Sequence, residues 1–474
     1  MTDPTRTNGF LTVDQRRDVG RAARKRIPRS TLAEFEPLDD KRDPVALLQM
    51  DDEGRLEDLV PIRYGRMLTT PFAFYRGAAS LMANDLARRD HTDIYAQLCG
   101  DAHLSNFGLF AAPDRRLVFD LNDFDETLQG PWEWDLKRLA ASTVIAGRSI
   151  GATEAESHAA VVALSDSYRD RVRQLADMTN LEVWHQRLEI DRLVALLEAN
   201  KRKDSAKSVT KMAEKAYTKD SIREFTKLTE VVDGKLRIAA APPIIVPIED
   251  VATSFDIEFS QEFIEGFVRS VIDTYKERLL ADRRHLLDQY EIVHMARKIV
   301  GVGSVGTRVW IVLLIGRDTS DPLFLQVKES GPSVYERYLG KSEFEFAGQR
   351  VIAGQRMMQG ATDPLLGWDN FKSPDGIERQ FYVRQLKDWK GSAKIEKFSP
   401  AQLLEYASLC ARVLARAHAR SGDRVAIASY IGKGDALGHA IADFAAAYAD
   451  QNDRDYARMK EAVADGRIVV REGV

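Results

Sequence analysis

The sequence predicts an α+β protein made of more than one folded unit. Its 474 residues exceed the roughly 100 to 200 of an ordinary domain, so two or three cooperating units are expected. Apolar residues recur at helical spacing over much of the first half of the chain and again over residues 396–474. From Ile292 onward, short runs of branched and aromatic residues separated by turns indicate strands.

The composition is that of an ordinary globular protein. Hydrophobic residues make up 44% and charged residues 30%, which excludes collagen, a disordered chain and a disulfide-stapled mini-protein. Lysine and arginine number 68 against 72 aspartates and glutamates, which gives a formal net charge of −4. A basic footprint over the whole chain is therefore absent, and we expect no nucleic-acid partner.

The cysteines and the hydropathy indicate a cytoplasmic protein. Cys99 and Cys410 are too few for a disulfide framework and form no CxxC pair, so a zinc ribbon is excluded and each is expected to be a small buried hydrophobe. No apolar segment precedes the basic cluster near the N-terminus, so no secretory signal is expected. The longest strongly apolar stretch, Trp310 to Ile315, has the length of a strand, and we expect no membrane partner.

The first 175 residues give the following elements in order. A basic helix ends at Pro28, with its charged face expected to be solvated while the helix packs on the body. A second helix runs from about Arg76, and the strand IYAQLCGD follows it. The runs FGLFA and RLVFDL form a hairpin, and an amphipathic helix extends from Trp134 to about Gly147.

The rest of the chain continues with helix to about residue 200. The basic segment Lys201 to Lys227 is expected to be an inserted subdomain with a solvated helical face, followed by the extended IAAAPPIIVPI. The strands ARKIV, RVWIVLLIG and LFLQVKES come next, then a helix between about Glu343 and Gln359, and then the strand QFYVRQL. The last stretch, residues 396–474, is helical and rich in alanine.

The most informative segment contains CGDAHLSNFG and then FDLNDFDET. Asp101 precedes Asn106 by five positions in a loop after a strand, and the hairpin delivers Asp123 at the end of its second strand. Phosphoryl transfer from ATP needs a carboxylate to orient or deprotonate the acceptor hydroxyl, and an amide and a carboxylate to hold Mg²⁺. These three residues supply those groups.

This segment resembles the HGDxHxxN loop of the aminoglycoside phosphotransferase and choline kinase branch of the protein-kinase-like superfamily. The matching positions are Asp101, His103 and Asn106, followed by Asp123, Phe124, Gly130, Asp135 and Leu136. The resemblance implies that Asp101 is the catalytic base, that Asn106 and Asp123 bind Mg²⁺, and that Asp135 is a buried acceptor bracing the loop. Asp125 is a candidate for a second Mg²⁺, and His103 is expected to brace the loop. Cys99 stands where that branch usually has histidine.

A second block resembles the small lobe of the same superfamily. Gly301, Gly303 and Gly306 form a GxGxxG pattern that encloses Ser304. A dinucleotide-binding loop uses the same spacing but opens a helix, whereas a strand follows here, so the pattern is typical of a glycine-rich hairpin over ATP phosphates. Lys328 in LQVK then corresponds to the kinase lysine that pairs with the α and β phosphates.

Two further predictions complete the nucleotide site. The kinase lysine pairs with a helix glutamate, for which Glu336, Glu343 and Glu345 are open candidates and Glu336 is preferred. The strand QFYVRQL leads into the hinge, so Gln385 and Leu386 are expected near the adenine.

The order of the blocks predicts a circularly permuted, two-lobed kinase-like fold with extra helices. In ordinary kinases the glycine loop and lysine precede the catalytic loop, whereas here they follow it by about 200 residues. If the prediction is right, Lys328 and Asp123 face one cleft. The predicted units are an N-terminal helical arm (1–60), the large-lobe catalytic core (61–175), a helical insertion and linker (176–290), the small lobe (291–395), and helices that pack on the large lobe (396–474).

Nearly the whole chain also resembles an uncharacterised bacterial family, domain of unknown function twenty-two fifty-two. The sequence motifs that carry this resemblance are RYGRM, PFAFYRG, GDAHLSNFG, NDFDET, GPWEWDLKRL and YADQNDRDY. That family name implies no substrate, but it supports treating these phrases as one unit.

The sequence thus predicts an ATP- and Mg²⁺-dependent phosphotransferase that acts on a hydroxyl, with a small-molecule acceptor. Three alternatives stay open: a nucleotide-binding pseudokinase, a kinase-like protein that transfers AMP, and a metal-dependent phosphohydrolase built on Asp101, His103, Asp120 and Asp123. The oligomeric state is not predicted. For Arg63, Arg66 and Arg76, which precede the catalytic loop, pairing with surface acids is favoured over phosphate binding; His418 and Asp423 are expected to be structural.

Overall fold

A computed structural model describes residues 10–35, 42–199, 203–252, 261–372, 376–386 and 388–473. Helix accounts for 54% of the structure and strand for 16%. Every strand pair is antiparallel, so the α+β class is confirmed.

The first half of the chain is mainly helical. The elements are α1 (Val13–Arg26), α2 (Pro44–Met50), α3 (Val60–Met67), α4 (Pro71–Gly77), α5 (Ala79–Ala87), β1 (Tyr95–Leu98), β2 (Phe107–Ala111), β3 (Leu117–Leu121), β4 (Leu128–Pro131), α6 (Trp132–Ser149), α7 (Glu154–Ala176), α8 (Asn180–Trp184), α9 (Ile190–Ala199), α10 (Lys203–Tyr217) and α11 (Ser221–Leu228).

The second half contains most of the strands and the long C-terminal helices. The elements are β5 (Thr229–Val232), β6 (Lys235–Ile238), β7 (Ile245–Pro247), α12 (Ile248–Ala252), α13 (Gln261–Glu277), α14 (Ala281–Leu287), β8 (Glu291–Lys298), β9 (Val309–Ile315), β10 (Pro322–Glu329), α15 (Glu336–Leu339), α16 (Ala347–Met358), β11 (Gly367–Lys372), β12 (Glu378–Gln385), β13 (Gly391–Ser392), α17 (Pro400–Ser421), α18 (Arg424–Ile431) and α19 (Ala436–Ala464).

The largest sheet joins β7 to β12 in the order β11-β12-β10-β9-β8-β7. Both faces of its central strands are covered, which explains why β9 reads as a continuous apolar run. Val312 and Leu314 pack with residues of α13 and α14, whereas Ile311 and Leu313 pack with residues of α11 and β6 on the other face. Helix α16 packs on β11 and β12.

A helical body carries the shorter strands. Helices α6, α7, α17 and α19 pack against one another around the largest apolar core, in which Leu139, Leu164, Leu414 and Ile441 are fully buried. Strand β1 pairs with β4, and the β2–β3 hairpin is extended by β13. Helices α17 and α19, near the end of the chain, therefore pack against α6 and α7 of its first half.

The first helices are integrated into this body. Helix α1 packs on α18, where Arg16 donates to Asp423 at 2.9 Å. Arg42 is buried and bridges Asp85 of α5 and Asp455 of α19, each at 2.6 Å. Residues before 61 therefore contribute to the core.

Several elements differ from the sequence-based expectation. The helix expected from Arg76 is split into α4 and α5. Helix α4 begins earlier than expected, because Thr70 caps its N-terminus by accepting the Ala73 N–H at 3.0 Å. It ends at Ala78, immediately before the start of α5. Strands β4, β5, β6, β11 and β13 have no counterpart in the sequence-based prediction. They pair through backbone groups, and their short, partly polar sequences do not give a strong period-two signal.

No helix among the described residues combines the length and apolar character needed to cross a membrane.

Candidate active site

The loop after β1 is braced by a buried carboxylate, as predicted. Asp135, in the first turn of α6, accepts the backbone N–H groups of Cys99 at 2.8 Å and Gly100 at 3.1 Å. His418 of α17 contacts the same carboxylate at 3.3 Å, and Tyr168 contacts the other ring nitrogen of His418 at 2.8 Å. The imidazole that supports this loop thus comes from α17, while the Cys99 thiol is buried.

Asp101 lies next to a buried guanidinium. Its Oδ1 accepts from Arg138 Nε at 2.6 Å, and His103 Nε2 lies 3.5 Å from its Oδ2. Its side chain keeps 23% exposure, so one carboxylate oxygen is accessible. Burial raises the pKa of Asp101 above the usual aspartate range, while Arg138 opposes the shift. The site therefore holds a carboxylate in a fixed orientation with an unusually basic character.

The Asn106 side chain connects the backbone at Asp101 to the backbone at Asp123. Its amide nitrogen donates to the carbonyls of Asp101 at 2.9 Å and Asp123 at 3.0 Å. Its Oδ1 accepts the N–H groups of Asn122 at 3.3 Å and Asp123 at 2.7 Å. In this arrangement the Asn106 side chain is engaged by the backbone, so it positions Asp101 and Asp123 relative to each other.

Lys328 meets the acidic loop although the two are about 200 residues apart in sequence. Its ammonium forms a close ion pair with Asp125 and lies 4.0 Å from Asp123 Oδ2. Burial by itself disfavours the charge on Lys328, but the two aspartates outweigh it and raise the pKa of the lysine. The same pairing lowers the pKa of Asp125 against the effect of burial. Lys328 is therefore charged and fixed at the acids.

The strand register explains why other polar groups share this face. Lys328 of β10 lies opposite Tyr382 of β12, and Gln326 lies opposite Arg384. The Tyr382 hydroxyl donates to Asp125 Oδ1 at 2.8 Å, and Arg384 donates to the Asn122 carbonyl at 3.1 Å. One face of the sheet thus contacts the acidic loop by side chains from two adjacent strands.

The glycine pattern forms the connection between β8 and β9 and covers the same acids. Ser304 Oγ donates to Asp125 Oδ2 at 3.2 Å. Gly301 and Gly306 have φ angles of +68° and +94°, which favour glycine. Arg55 donates to the Gly303 carbonyl at 2.9 Å, and Arg66 donates to the Gly301 carbonyl at 2.7 Å. The loop is therefore held between Asp125 and the segment around α3.

The predicted ion pair between Lys328 and Glu336 is not formed. Glu336 lies 3.6 Å from Arg350 Nε and accepts the Ser333 N–H at 3.1 Å. Arg350, which is buried in α16, also donates to the Asp125 carbonyl at 2.8 Å. Lys328 does not pair with Glu336 because Asp125 and Asp123 already balance its charge.

Gln385 and Leu386 lie where β12 ends, as predicted. Their backbone N–H groups hydrogen-bond to neighbouring segments of the fold. The Gln385 N–H donates to Asp363 Oδ2 at 2.5 Å, and the Leu386 N–H donates to the Phe324 carbonyl at 2.9 Å. The Leu386 side chain is buried in the apolar cluster that contains Phe324. Among the described residues, no contact joins either side chain to Lys328.

Sequence reasoning missed the cations that surround Asp101. Arg138 follows Asp135 by one helical turn, so both face the loop, and this spacing was a usable signal. Arg76, for which surface pairing was expected, is instead largely withdrawn from solvent; burial lowers its pKa, and its charge interacts with Asp101 and Asp123. Its Nε is buried and has no hydrogen-bond partner among the described residues.

Asp120 lies apart from the other acids. One carboxylate oxygen pairs with Arg416, and the other accepts the Gly360 N–H at 3.0 Å. Within the described ranges, no group of three or more histidines, cysteines, aspartates or glutamates is placed to hold one metal ion. The cluster of Asp101, His103, Asp120 and Asp123 that a phosphohydrolase would require is therefore not assembled there.

Comparison with known proteins gives one match. Residues 55–462 match the family model described as an uncharacterized protein conserved in bacteria, DUF2252. No curated protein and no solved structure matches the chain. The matched residues include the acidic loop, the glycine pattern and Lys328, so one family model covers the whole candidate site. The chain belongs to the bacterial family DUF2252.

Proposed function

We propose that the protein is an ATP- and Mg²⁺-dependent phosphotransferase with a permuted kinase-like arrangement. Asp101 serves as the base that orients and deprotonates an acceptor hydroxyl. Asp123 and Asp125 hold Mg²⁺, Lys328 binds the phosphates, and the glycine loop covers them. The acceptor is a small molecule, because the loop resembles that of the aminoglycoside and choline kinases.

The observation that carries this proposal is the contact of Lys328 with the acidic loop. Its ammonium lies 4.0 Å from Asp123 Oδ2 and pairs with Asp125. Phosphoryl transfer depends on positioning and electrostatic stabilisation, and a lysine beside metal-binding carboxylates is a recurring part of such sites. The glycine loop reaches the same acids through Ser304, which contacts Asp125 at 3.2 Å. Segments from both halves of the chain thus supply these groups.

The side chains fit a magnesium ion. Mg²⁺ in such sites is bound by one or two carboxylates together with substrate phosphates and water. Asp123 Oδ1 is buried and lacks a hydrogen-bond partner among the described residues, so it has a free oxygen for a cation. Asp125 is the second carboxylate, and a bound ion there would neutralise charge on the phosphates. Asn106, held by backbone groups, acts by positioning Asp123.

The proposed reaction is an in-line displacement. The acceptor hydroxyl gives its proton to Asp101, and its oxygen forms a bond to the γ-phosphorus of ATP as the bond to the bridging oxygen of ADP breaks. Lys328 exchanges its carboxylate partners for phosphate oxygens. Arg76 supports the charge that develops on the transferred group, since its guanidinium interacts with both Asp101 and Asp123.

The first test is the change Asp101→Asn. We expect turnover to fall by about 100-fold or more, because the base is lost, while nucleotide binding persists. The measurement is ATP turnover against a panel of small hydroxyl compounds, with products separated to distinguish ADP from AMP. Asp114→Asn, at an exposed carboxylate of the β2–β3 turn, is the matched control and should leave turnover unchanged.

Lys328→Ala tests the proposed phosphate-binding role of the lysine. It should weaken nucleotide binding as well as turnover. A thermal-shift titration of Mg·ATP measures the loss of binding directly.

Full activity of the Asp101→Asn protein would contradict the assignment of the base. AMP as the labelled product would replace phosphoryl transfer by nucleotidyl transfer, and binding without turnover of any acceptor would favour a pseudokinase.

A further inference from the structure

A polar cavity lies beside β3, where Glu189 forms a bridge to Val118 of that strand. The cavity, of about 380 Å³, is lined by His185, Gln186, Arg187, Glu189, Arg192 and Gly360. Its volume is at the small end of the range for ligand pockets. The lining is mainly polar, which favours a polar ligand over an apolar one.

The charge around this cavity is unbalanced. We define the arginine cluster as Arg171, Arg192, Arg412 and Arg416. Among the described residues, Arg171 donates only to the neutral side-chain oxygens of Gln174 at 2.6 Å and Gln186 at 2.8 Å. Within the described part of the chain, Arg192 and Arg412 form no ion pair. Three cations of the cluster therefore lack a carboxylate.

Arg416 connects the cluster to the cavity wall. It is 4% exposed, pairs with Asp120 and donates to the Gln186 carbonyl at 3.4 Å. Its Nε is buried without a hydrogen-bond partner among the described residues. A Cβ at Gly360 would lie 2.3 Å from Arg416 Nη1, so only glycine lets this guanidinium approach the cavity.

The cations repel one another. Burial lowers the pKa of Arg171, and together with the charges of Arg412, Arg416 and Arg192 it brings that pKa to about 10. Arg187 does not add to this imbalance, because it pairs with Glu189 at 2.8 Å and Asp114 at 2.6 Å. An anion placed among the unpaired guanidiniums would relieve their repulsion.

We propose that this cavity is an anion site for a compact molecule carrying a short phosphate chain. Guanidinium groups match phosphate geometry with paired hydrogen bonds, and several converging arginines favour more than one phosphate over a single one. The site is separate from the proposed nucleotide site and does not depend on it. Asp120 links the two, because it contacts Arg416 and the Gly360 N–H and lies on the strand that leads to Asp123.

The test uses inorganic tripolyphosphate as the probe, titrated calorimetrically into the full chain with EDTA present. Arg192→Ala should weaken binding by about tenfold, the effect of losing one charge-assisted contact. Arg192 is exposed, so this change should not affect folding. Arg173→Ala, on the same helix as Arg171 but two positions away and on another face, should leave the affinity unchanged. Lys328→Ala removes a phosphate ligand of the proposed nucleotide site, and the binding that depends on Arg192 should persist in this variant.

Four results would overturn the proposal: no binding by the wild-type protein, an unchanged affinity in Arg192→Ala, an equal loss in Arg173→Ala, or loss of binding in Lys328→Ala. The last result would place the phosphate chain at the nucleotide site instead. Citrate binding as tightly as tripolyphosphate would overturn the phosphate assignment. The calorimetric titration measures neither nucleotide binding nor turnover. Its result can therefore be interpreted even if the phosphotransferase proposal fails.

Discussion

At the scale of single residues, buried charges around the loop after β1 are matched by specific partners. Arg138 is fully buried, donates to Asp101 and also donates to the Tyr75 carbonyl at 2.8 Å, while its guanidinium lies 4.1 Å from the Tyr75 ring centre. Such a cation has few rotamers available, so it fixes the carboxylate it contacts. The orientation of the Asp101 carboxylate thus depends on α4 and α6 as well as on its own loop.

The loop after β1 should require glycine at position 100. The φ of Gly100 is +84°, and an added Cβ would lie 2.2 Å from the Glu126 carbonyl oxygen. Gly100→Ala should destabilise the protein by about 3–5 kcal/mol, from backbone strain plus overpacking. Gly151 has a similar φ of +76° but open surroundings, so Gly151→Ala should cost about 1–2 kcal/mol. Denaturant unfolding of both variants measures the difference, and equal costs would contradict the close approach.

Glu126 should make stability depend on pH. Burial, with a contribution from nearby Asp125, raises the pKa of Glu126 to about 7. A carboxyl whose folded-state pKa is raised stabilises the fold below its unfolded pKa and loses that contribution as pH rises toward its folded pKa. The loss is on the order of 3 kcal/mol between about pH 4.5 and 7.

The variant Glu126→Gln mimics the protonated form and removes this titration. Its stability relative to the wild type should rise between about pH 4.5 and 7 and level off above that range. Urea unfolding of both proteins at several pH values measures the difference. A difference that does not change with pH would show that Glu126 titrates normally.

At the scale of elements, the glycine-rich connection is held by a segment far away in sequence. Arg55 donates to the carbonyls of Gly303 and Val305, and the Leu56 N–H donates to the Gly306 carbonyl at 2.8 Å. A loop with several glycines has high conformational entropy when released. Its position over Asp125 therefore depends on these contacts.

Arg55→Ala should loosen the glycine loop selectively. We expect faster backbone hydrogen exchange over residues 300–307 with little change in β9 and β10, because the strands keep their ladder. Arg317→Ala is the control, since Arg317 makes its contacts within the turn between β9 and β10. Unchanged exchange in Arg55→Ala would show that the loop is ordered by its own contacts.

Some helices and strands can be predicted from the sequence pattern, and others cannot. Strands β9 and β10 and helix α16 have strong patterns, because their residues are buried on one or both sides. The β5–β6 hairpin also has a local signal in its sequence: Asp233 and Gly234 form a two-residue turn, and both have positive φ angles. Strand β13, two residues long, exists only because β2 offers it an edge.

At the scale of the whole molecule, a buried ion network joins the beginning of the chain to its end. Arg42 contacts Asp85 and Asp455 through two nitrogens each, and Tyr448 contacts Asp85 at 3.2 Å. Buried carboxylates without a cation are costly. The network thus makes the packing of α5 and α19 depend on a residue that precedes α2.

Arg42→Ala should therefore destabilise the protein by about 3–5 kcal/mol, because it leaves two carboxylates buried without their partner. Arg467→Ala is the matched control. Arg467 pairs with Asp43 at 2.7 Å, but both side chains are more than 40% exposed, so its loss should cost about 1 kcal/mol or less. Chemical denaturation measures both, and similar small losses would show that the Arg42 network is not needed for stability.

Local pattern and spacing in the sequence predict most of the helical and strand-rich stretches, the family, and the acids and glycines that are candidates for chemistry. Tertiary packing is needed to show that Lys328 pairs with Asp125 rather than Glu336 and that backbone groups engage Asn106. It also shows that His418 and Arg138 support the loop. Such partners are chosen by strand register and helix packing. These bring together residues that are hundreds of positions apart in the chain, and no local pattern contains that information.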